Sequence, residues 1–229
     1  MERGGLALIG QLVIASKGRG RAEPGRLYGL PVLRAETDPA GFWGERRLKR
    51  AGKSLRLGGV LRILAPSEFL PLMEGFGLRP VELERFLQAQ SVPLALGALE
   101  RQGLTPDRAT VALRGQRAGR EMTRTAVGLC SKVRNLVVDA PRGGEELALW
   151  LRREYGIPVL PPKEQGQVAL RFQVDCSAQE ETSLELFGSR PKLAGLTLSA
   201  PELAEEDREN LPMLAALWEG GRLEHIKIT

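Results

Sequence analysis

The chain has 229 residues, a net charge of +5, 42% hydrophobic residues and 27% charged residues. This composition is that of a globular protein with a core, and it excludes a chain that is disordered throughout. The length fits one large domain or two small ones. Cys130 and Cys176 have no CxxC partner, which excludes a disulfide framework and favours a reduced, cytoplasmic protein. With His225 as the single histidine, no metal site is predicted.

The N-terminal 58 residues are predicted to form a basic extension of two strands and a helix. The strands are Leu6–Ala15 and Leu27–Arg34, and the glycine- and arginine-rich stretch Lys17–Arg26 between them is typical of an exposed loop. Phe42–Leu55 has helical spacing, with apolar residues on one face and cations on the other. Because Leu6–Ala15 is about half the ~20 residues needed to span a bilayer, it is predicted to be a buried strand, and no membrane partner is expected.

The positive charge is concentrated near the N-terminus. Residues 1–62 carry 13 basic and 5 acidic groups, a net charge of +8, whereas the remainder carries 20 basic and 23 acidic groups, a net charge of −3. Such asymmetry indicates either a solvated basic face or a surface that contacts nucleic acid or an acidic membrane. Four cations share the outer face of the predicted helix: Arg46, Arg47, Arg50 and Lys53. With Phe42 and Trp43 beside them they form a candidate anion or nucleic-acid contact, although no helix-turn-helix, RNP or zinc pattern accompanies them.

Residues 59–229 are predicted to form a Rossmann-like α/β domain, because apolar runs alternate with helical patterns. We expect a three-layer, mostly parallel, doubly wound sheet built from five runs: Val60–Ala65, Thr110–Arg114, Asn135–Asp139, Ile157–Leu160 and Val168–Val174. Helices are predicted over Glu82–Gln102 with a division at Pro93, Arg120–Arg134, Glu145–Tyr155 and Pro201–Trp218. The N-terminal strands either extend this sheet or form a small subdomain. In such a sheet the ligand crevice lies at the C-terminal ends of the strands.

A glycine turn joins the second of these strands to its helix. The turn is Gly115-Gln-Arg-Ala-Gly119, and Asp139 ends the following strand. Over about residues 109–160 this arrangement resembles the nucleotide-binding half of shikimate-dehydrogenase-like and related NAD(P) enzymes. The resemblance implies that the turn lines a pyrophosphate site and that Asp139 reads the ribose. Arg117 stands where that motif has its close-approach glycine, so its side chain would either crowd the pyrophosphate or pair with a phosphate.

Two further patterns contain candidate polar groups. Asp139–Gly144 is a second possible anion site, because free amides at a helix start and Arg142 could meet an anion. Glu145 and Glu146 oppose that interpretation, because their charges already balance the positive end of the helix. The alternative is that Asp139 or the loop backbone caps the helix. Three strand-end carboxylates would meet in one crevice if the sheet is single and parallel: Asp139, Glu68 and Asp175.

The sequence contains no GxSxG, HExxH, P-loop or CxxC motif. It therefore favours a non-catalytic, Rossmann-like ligand-binding or interaction protein without a cofactor, with a small ligand at the strand ends as one candidate partner. Two alternatives stay open: an NAD(P)-dependent enzyme that uses Gly115–Gly119, and a nucleic-acid binder that uses the basic N-terminal quarter. The style of the chain also resembles uncharacterised bacterial proteins of anaerobic, Gram-positive gut genomes, a resemblance that implies no activity.

Overall fold

The computed structural model describes residues 8–173 and 182–229, and it divides into two compact units. Unit 1 comprises Met1–Glu82 and Ala200–Ile226, and unit 2 comprises Leu83–Ser199 and Lys227–Thr229. The sequence placed a boundary between residues 58 and 59 instead. Each unit contains its own five-stranded, mostly parallel sheet. The α/β, Rossmann-like class predicted from the sequence is therefore confirmed.

The elements are as follows. The strands are β1 Ile9–Ile14, β2 Arg19–Leu27, β3 Leu30–Thr37, β4 Arg62–Leu64, β5 Arg79–Pro80, β6 Thr110–Arg114, β7 Asn135–Asp139, β8 Val159–Leu160, β9 Val168–Arg171, β10 Thr182–Glu185, β11 Leu198–Ser199 and β12 Lys227–Ile228. The helices are α1 Gly44–Leu57, α2 Leu70–Glu74, α3 Glu84–Ala89, α4 Ser91–Arg101, α5 Arg120–Cys130, α6 Gly144–Tyr155 and α7 Leu211–Glu219. Short 3-10 turns lie at Ser67–Phe69 and Pro106–Arg108.

The sheet of unit 1 has helices on both faces. Its strands lie in the order β2-β3-β1-β4-β5, and all neighbours are parallel except β2 and β3. Leu48, Ala51 and Leu55 of α1 pack in one buried cluster with sheet residues on the first face. Arg62 of β4 is the register partner of Ile9 on β1. On the second face of the sheet it donates a hydrogen bond to the carboxylate of Glu219, the last residue of α7, at 2.6 Å. Unit 1 is thus a three-layer arrangement.

The prediction of a loop over Lys17–Arg26 is wrong, because most of this stretch forms β2. The strand pairs antiparallel with β3 through a tight turn at Tyr28-Gly29. It is an edge strand, so only one side of its backbone must pair, and Pro24 and its glycines are tolerated there. An edge strand and a loop have similar compositions, and for that reason the sequence did not distinguish them.

The sheet of unit 2 is fully parallel, in the order β10-β9-β6-β7-β8. The chain runs outward from the central β6 through β7 to β8 and then continues on the other side of β6 with β9 and β10. Neighbouring strands β6 and β9 therefore flank a topological switch point, the place where such sheets bind ligands. Helices α4, α5 and α6 pack side by side. The segment 161–167 makes the crossover from β8 to β9, and at Gly166 it lies so close to β6 that a Cβ would approach the Ala112 nitrogen to 2.9 Å.

The prediction that five runs form a single sheet is wrong for one of the five. Val60–Ala65 contributes β4 to the sheet of unit 1, whereas the other four runs contribute to unit 2. The apolar pattern predicts that a strand is buried, but it does not say which strand it pairs with. The predicted helix over Pro201–Trp218 begins later, at Leu211, because the Asn210 side chain accepts the Met213 amide proton at 3.2 Å and caps the helix there.

Tyr28 ties the β2–β3 turn to a later segment of unit 1. Its hydroxyl donates to Asp207 Oδ2 at 2.7 Å and accepts from the Ala204 amide at 3.2 Å. The hydrogen bond to the Asp207 carboxylate raises the pKa of the Tyr28 phenol above its ordinary value. The tether therefore requires the protonated phenol.

We expect Tyr28→Phe to lower the free energy of unfolding by about 1 kcal/mol at neutral pH, a modest value because the side chain is 39% exposed. Since the folded-state pKa is raised, the contribution is present below the unfolded-state pKa of about 10 and is lost as the pH rises through the folded-state pKa. Urea unfolding across this range measures it. The exposed Tyr155→Phe is the control, and equal stabilities of Tyr28→Phe and the native chain at neutral pH would contradict the tether.

Candidate functional site

Arg114 is a fully buried arginine at the end of the central strand of unit 2. Its guanidinium donates to Asp139 Oδ2 at 2.9 Å, to the Pro162 carbonyl at 3.3 Å and to the Glu164 carbonyl at 3.1 Å. Asp139, which the resemblance assigned to a ribose, thus forms an ion pair inside the protein. This role of Arg114 was not predicted from the sequence. A charged residue at the end of an otherwise apolar strand was the available signal.

The glycine turn is closed by hydrogen bonds within unit 2. Four of its amides donate to protein acceptors: Gly115 to Asp139 O at 3.0 Å, Gln116 to Gln173 Oε1 at 2.9 Å, Ala118 to Arg142 O at 2.8 Å and Gly119 to Arg117 O at 3.0 Å. Arg117 and Arg142 also form a parallel bridge that joins the two loops. A dinucleotide site needs such amides free for the pyrophosphate. The structure brings Gly115 next to Asp139, and a pyrophosphate would have to displace these bonds.

The β7–β8 pocket is a cavity of about 550 Å³ at the C-terminal ends of β7 and β8, beside the start of α6. Its apolar walls are formed by Val138, Ala140, Leu149, Leu160, Pro161 and Pro162. Its charged groups are Glu145, Glu146 and Arg152, and the Arg152 guanidinium donates to the Val159 carbonyl. Neither glutamate has an ion-pair partner among residues 8–173 and 182–229. The polar character of the pocket is therefore negative.

Two interpretations of Asp139–Gly144 can be compared with this geometry. The N-cap of α6 is Gly143, with a φ of 77° and no side-chain capping bond, so Asp139 does not cap the helix. The exposed Glu145 and Glu146 occupy the first turn, where they disfavour a bound anion.

The four cations predicted on α1 have different surroundings. Arg47 pairs with Asp38 at 3.1 Å, and Arg46 lies over the Trp43 ring, 5.4 Å from its centroid. Arg50 joins Trp43, Arg46 and Arg47 around a shallow cavity of about 310 Å³, and Lys53 lies farther along the exposed face of the helix. Within the described parts of the chain, Arg50 and Lys53 have no carboxylate partner.

Other predicted groups do not assemble into a site. Glu68 follows β4 of the first sheet and Asp139 ends β7 of the second, so the single sheet on which the shared crevice depended is wrong. Asp175 lies outside the described residues. Burial raises the pKa of the Cys130 thiol, and Cys176 also lies outside the described residues. In the described ranges no cluster of three His, Cys, Asp or Glu side chains could hold a metal ion, and no helix there is long and apolar enough to cross a bilayer.

Comparison with known proteins adds little to this description. No protein-family model and no curated sequence matches the chain. Among solved structures, the crystal structure of L-tryptophan dehydrogenase from Nostoc punctiforme is similar over 73% of this chain, with 16% identity and a TM-score of 0.33. The chain covers 56% of the length of that protein. At this similarity no functional argument follows, and the class of the protein, Rossmann-like α/β, rests on the strand order itself.

Arg114→Met should lower the free energy of unfolding by about 3 kcal/mol, because it leaves the Pro162 and Glu164 carbonyls and the Asp139 carboxylate without their donor. Asp139→Asn retains an acceptor oxygen but leaves the buried guanidinium without its counter-charge, so it should also cost about 3 kcal/mol. Guanidinium unfolding measures both changes. The exposed Arg134→Met is the matched control, and equal stabilities of the two arginine variants would show that the buried guanidinium does not support the fold.

The closed turn predicts that neither NAD(H) nor NADP(H) stabilises the protein. A cofactor with a dissociation constant of about 10 µM would add about 2.7 kcal/mol of stability at about 1 mM, which thermal unfolding readily detects. Arg117→Gly should not create binding, since the bonded amides remain. Stabilisation of the native chain by either cofactor would instead support the NAD(P)-dependent alternative.

Proposed function

We propose that the protein is a non-catalytic, Rossmann-like binding protein that takes up a small apolar molecule, uncharged or cationic, in the β7–β8 pocket. The observation that supports this best is the cavity of about 550 Å³ at the C-terminal ends of parallel strands. Small-molecule sites commonly enclose about 300–1,000 Å³ and favour this edge of such sheets. A cytoplasmic location belongs to the same proposal, supported by the scarcity of cysteine.

The lining selects the class of ligand. Leu149 is 60% exposed at the pocket, and covering such a side chain is favourable because apolar surface leaves water. Glu145 and Glu146 are exposed at the mouth and without counter-ions among the described residues, whereas Arg152 is engaged by Val159. A cation next to either carboxylate gains energy there, and an anion is repelled.

The same lining supports binding without turnover. Among the described residues that form the pocket there is no Ser, Thr, Cys, His, Lys or Tyr. Glu145 and Glu146 are adjacent on the helix, so their side chains diverge by about 100° and cannot act together on one bond. The buried hydroxyl pair of Ser91 and Thr125, 2.6 Å apart, is not part of the pocket.

Three probes of similar size test the proposal: 2-phenylethylamine, 2-phenylethanol and phenylacetate, each titrated into the ¹⁵N-labelled protein. We expect saturable shifts of the Ala140, Gly143, Gly144 and Leu160 amides with the amine and the alcohol. The amine should bind about two- to tenfold more tightly than the alcohol, since each exposed ion pair adds about 0.2–1 kcal/mol. Phenylacetate should bind most weakly.

Matched variants distinguish binding in the β7–β8 pocket from non-specific binding elsewhere on the protein. Glu145→Gln with Glu146→Gln should remove the preference for the amine, and Ala148→Trp should fill the cavity and weaken both ligands. Glu154→Gln, on the exposed surface near the end of α6, should change nothing. No saturable binding of the amine or the alcohol, or equal binding by the Ala148→Trp protein, would refute the proposed function.

A further inference from the structure

Unit 1 presents two large aromatic rings to solvent. Phe42 is 92% exposed and Trp43 is 51% exposed, and the rings meet edge to face with centroids 5.0 Å apart. Exposed aromatic pairs of this size are unusual on a protein surface and often mark a contact for another molecule. Together with three cations of α1 they form what we call the aromatic–arginine surface: Phe42, Trp43, Arg46, Arg50 and Lys53.

The segment that carries the rings is held in place. Asp38 accepts the Ala40 amide proton at 2.9 Å and pairs with Arg47, which joins the segment to α1. Gly44, the first residue of α1, lies against Pro39, where any Cβ would overlap the Pro39 carbonyl. The backbone that carries the rings is therefore held in a defined conformation, which reduces the entropy lost when a ligand binds.

The charges on this surface are available to an anion. Arg46 lies over the Trp43 ring rather than beside a carboxylate, and Arg50 and Lys53 are exposed without counter-ions in the described ranges. Two neighbouring cations differ from these three because each has a carboxylate partner: Arg47 pairs with Asp38, and Lys49 pairs with Glu45. The surface thus combines three cations that have no carboxylate partner in the described ranges with two exposed aromatic rings.

We propose that the aromatic–arginine surface binds single-stranded nucleic acid, with bases on Phe42 and Trp43 and phosphates on Arg46, Arg50 and Lys53. Aromatic side chains beside cations are the two components of sequence-tolerant single-strand binding. The bases of a duplex are stacked on one another and cannot stack on Phe42 or Trp43, so a duplex would contact the cations alone. This site uses unit 1 only, and its test does not depend on the β7–β8 pocket.

Fluorescence anisotropy of labelled 12-nucleotide strands, dT12 and rU12, with the full chain tests the proposal. We expect single strands to bind more tightly than a 12-base-pair duplex at equal salt. Phe42→Ala should weaken single-strand binding by about tenfold, within the range for loss of one stacked base, and should leave duplex binding unchanged. Trp43→Ala should behave similarly, and Trp43→Tyr, which keeps a ring, should retain most of the affinity.

The cations are tested by salt dependence. Arg46→Ala with Arg50→Ala should reduce the slope of log affinity against log salt by about 1.4, because two phosphate contacts are lost. Lys132→Ala with Arg134→Ala removes the same charge from exposed positions of unit 2 and should leave the slope unchanged. Equal losses in the two double variants, full binding by Phe42→Ala and Trp43→Ala, or binding to phosphatidylglycerol vesicles but to no single strand would overturn the proposal.

Discussion

A guanidinium buried at the end of the central strand holds together the C-terminal edge of the sheet of unit 2. Arg114 has no exposed surface, and a buried charge is tolerated only when it is paired and hydrogen-bonded. Its partners are the last residue of β7 and two carbonyls of the 161–167 crossover. The Arg114 side chain therefore joins β6 and β7 to the 161–167 crossover. It also forms an ion pair with the Asp139 carboxylate, the group that the resemblance assigned to a cofactor ribose.

The parts of the fold that could be predicted are those that depend on local pattern. Thr110–Arg114 and Asn135–Asp139 form strands with the predicted bounds, because each is a buried apolar run between turns. Strand pairing depends on distant residues, so Val60–Ala65 was assigned to the wrong sheet. For the candidate sites, composition predicted the cations beside Trp43. The Asp38 partner of Arg47 and the occupied amides of the glycine turn follow only from three-dimensional contacts.

The sequence predicted a ligand at the C-terminal strand ends and indicated Asp139–Gly144 as a candidate site, but it did not predict the β7–β8 pocket itself. Its walls come from the end of β7, from α6 and from the residues after β8, none of which has a recognisable motif. The two proposed sites differ in charge in the same sense as the two parts of the sequence. The net +8 of residues 1–62 includes the surface proposed for phosphates, and the net −3 of the remainder includes the glutamates proposed to favour a cation.

The division of the chain has a consequence for its synthesis on the ribosome. Strands β1–β5 are made first, but α7, which covers the second face of their sheet, comes from residues that follow nearly all of unit 2. The Arg62–Glu219 contact spans 157 positions and the Tyr28–Asp207 contact spans 179. Contacts of such separation form late because a long loop must close first. Of the two sheets, that of unit 1 therefore emerges before that of unit 2, but its second face stays uncovered until α7 has been translated after most of unit 2.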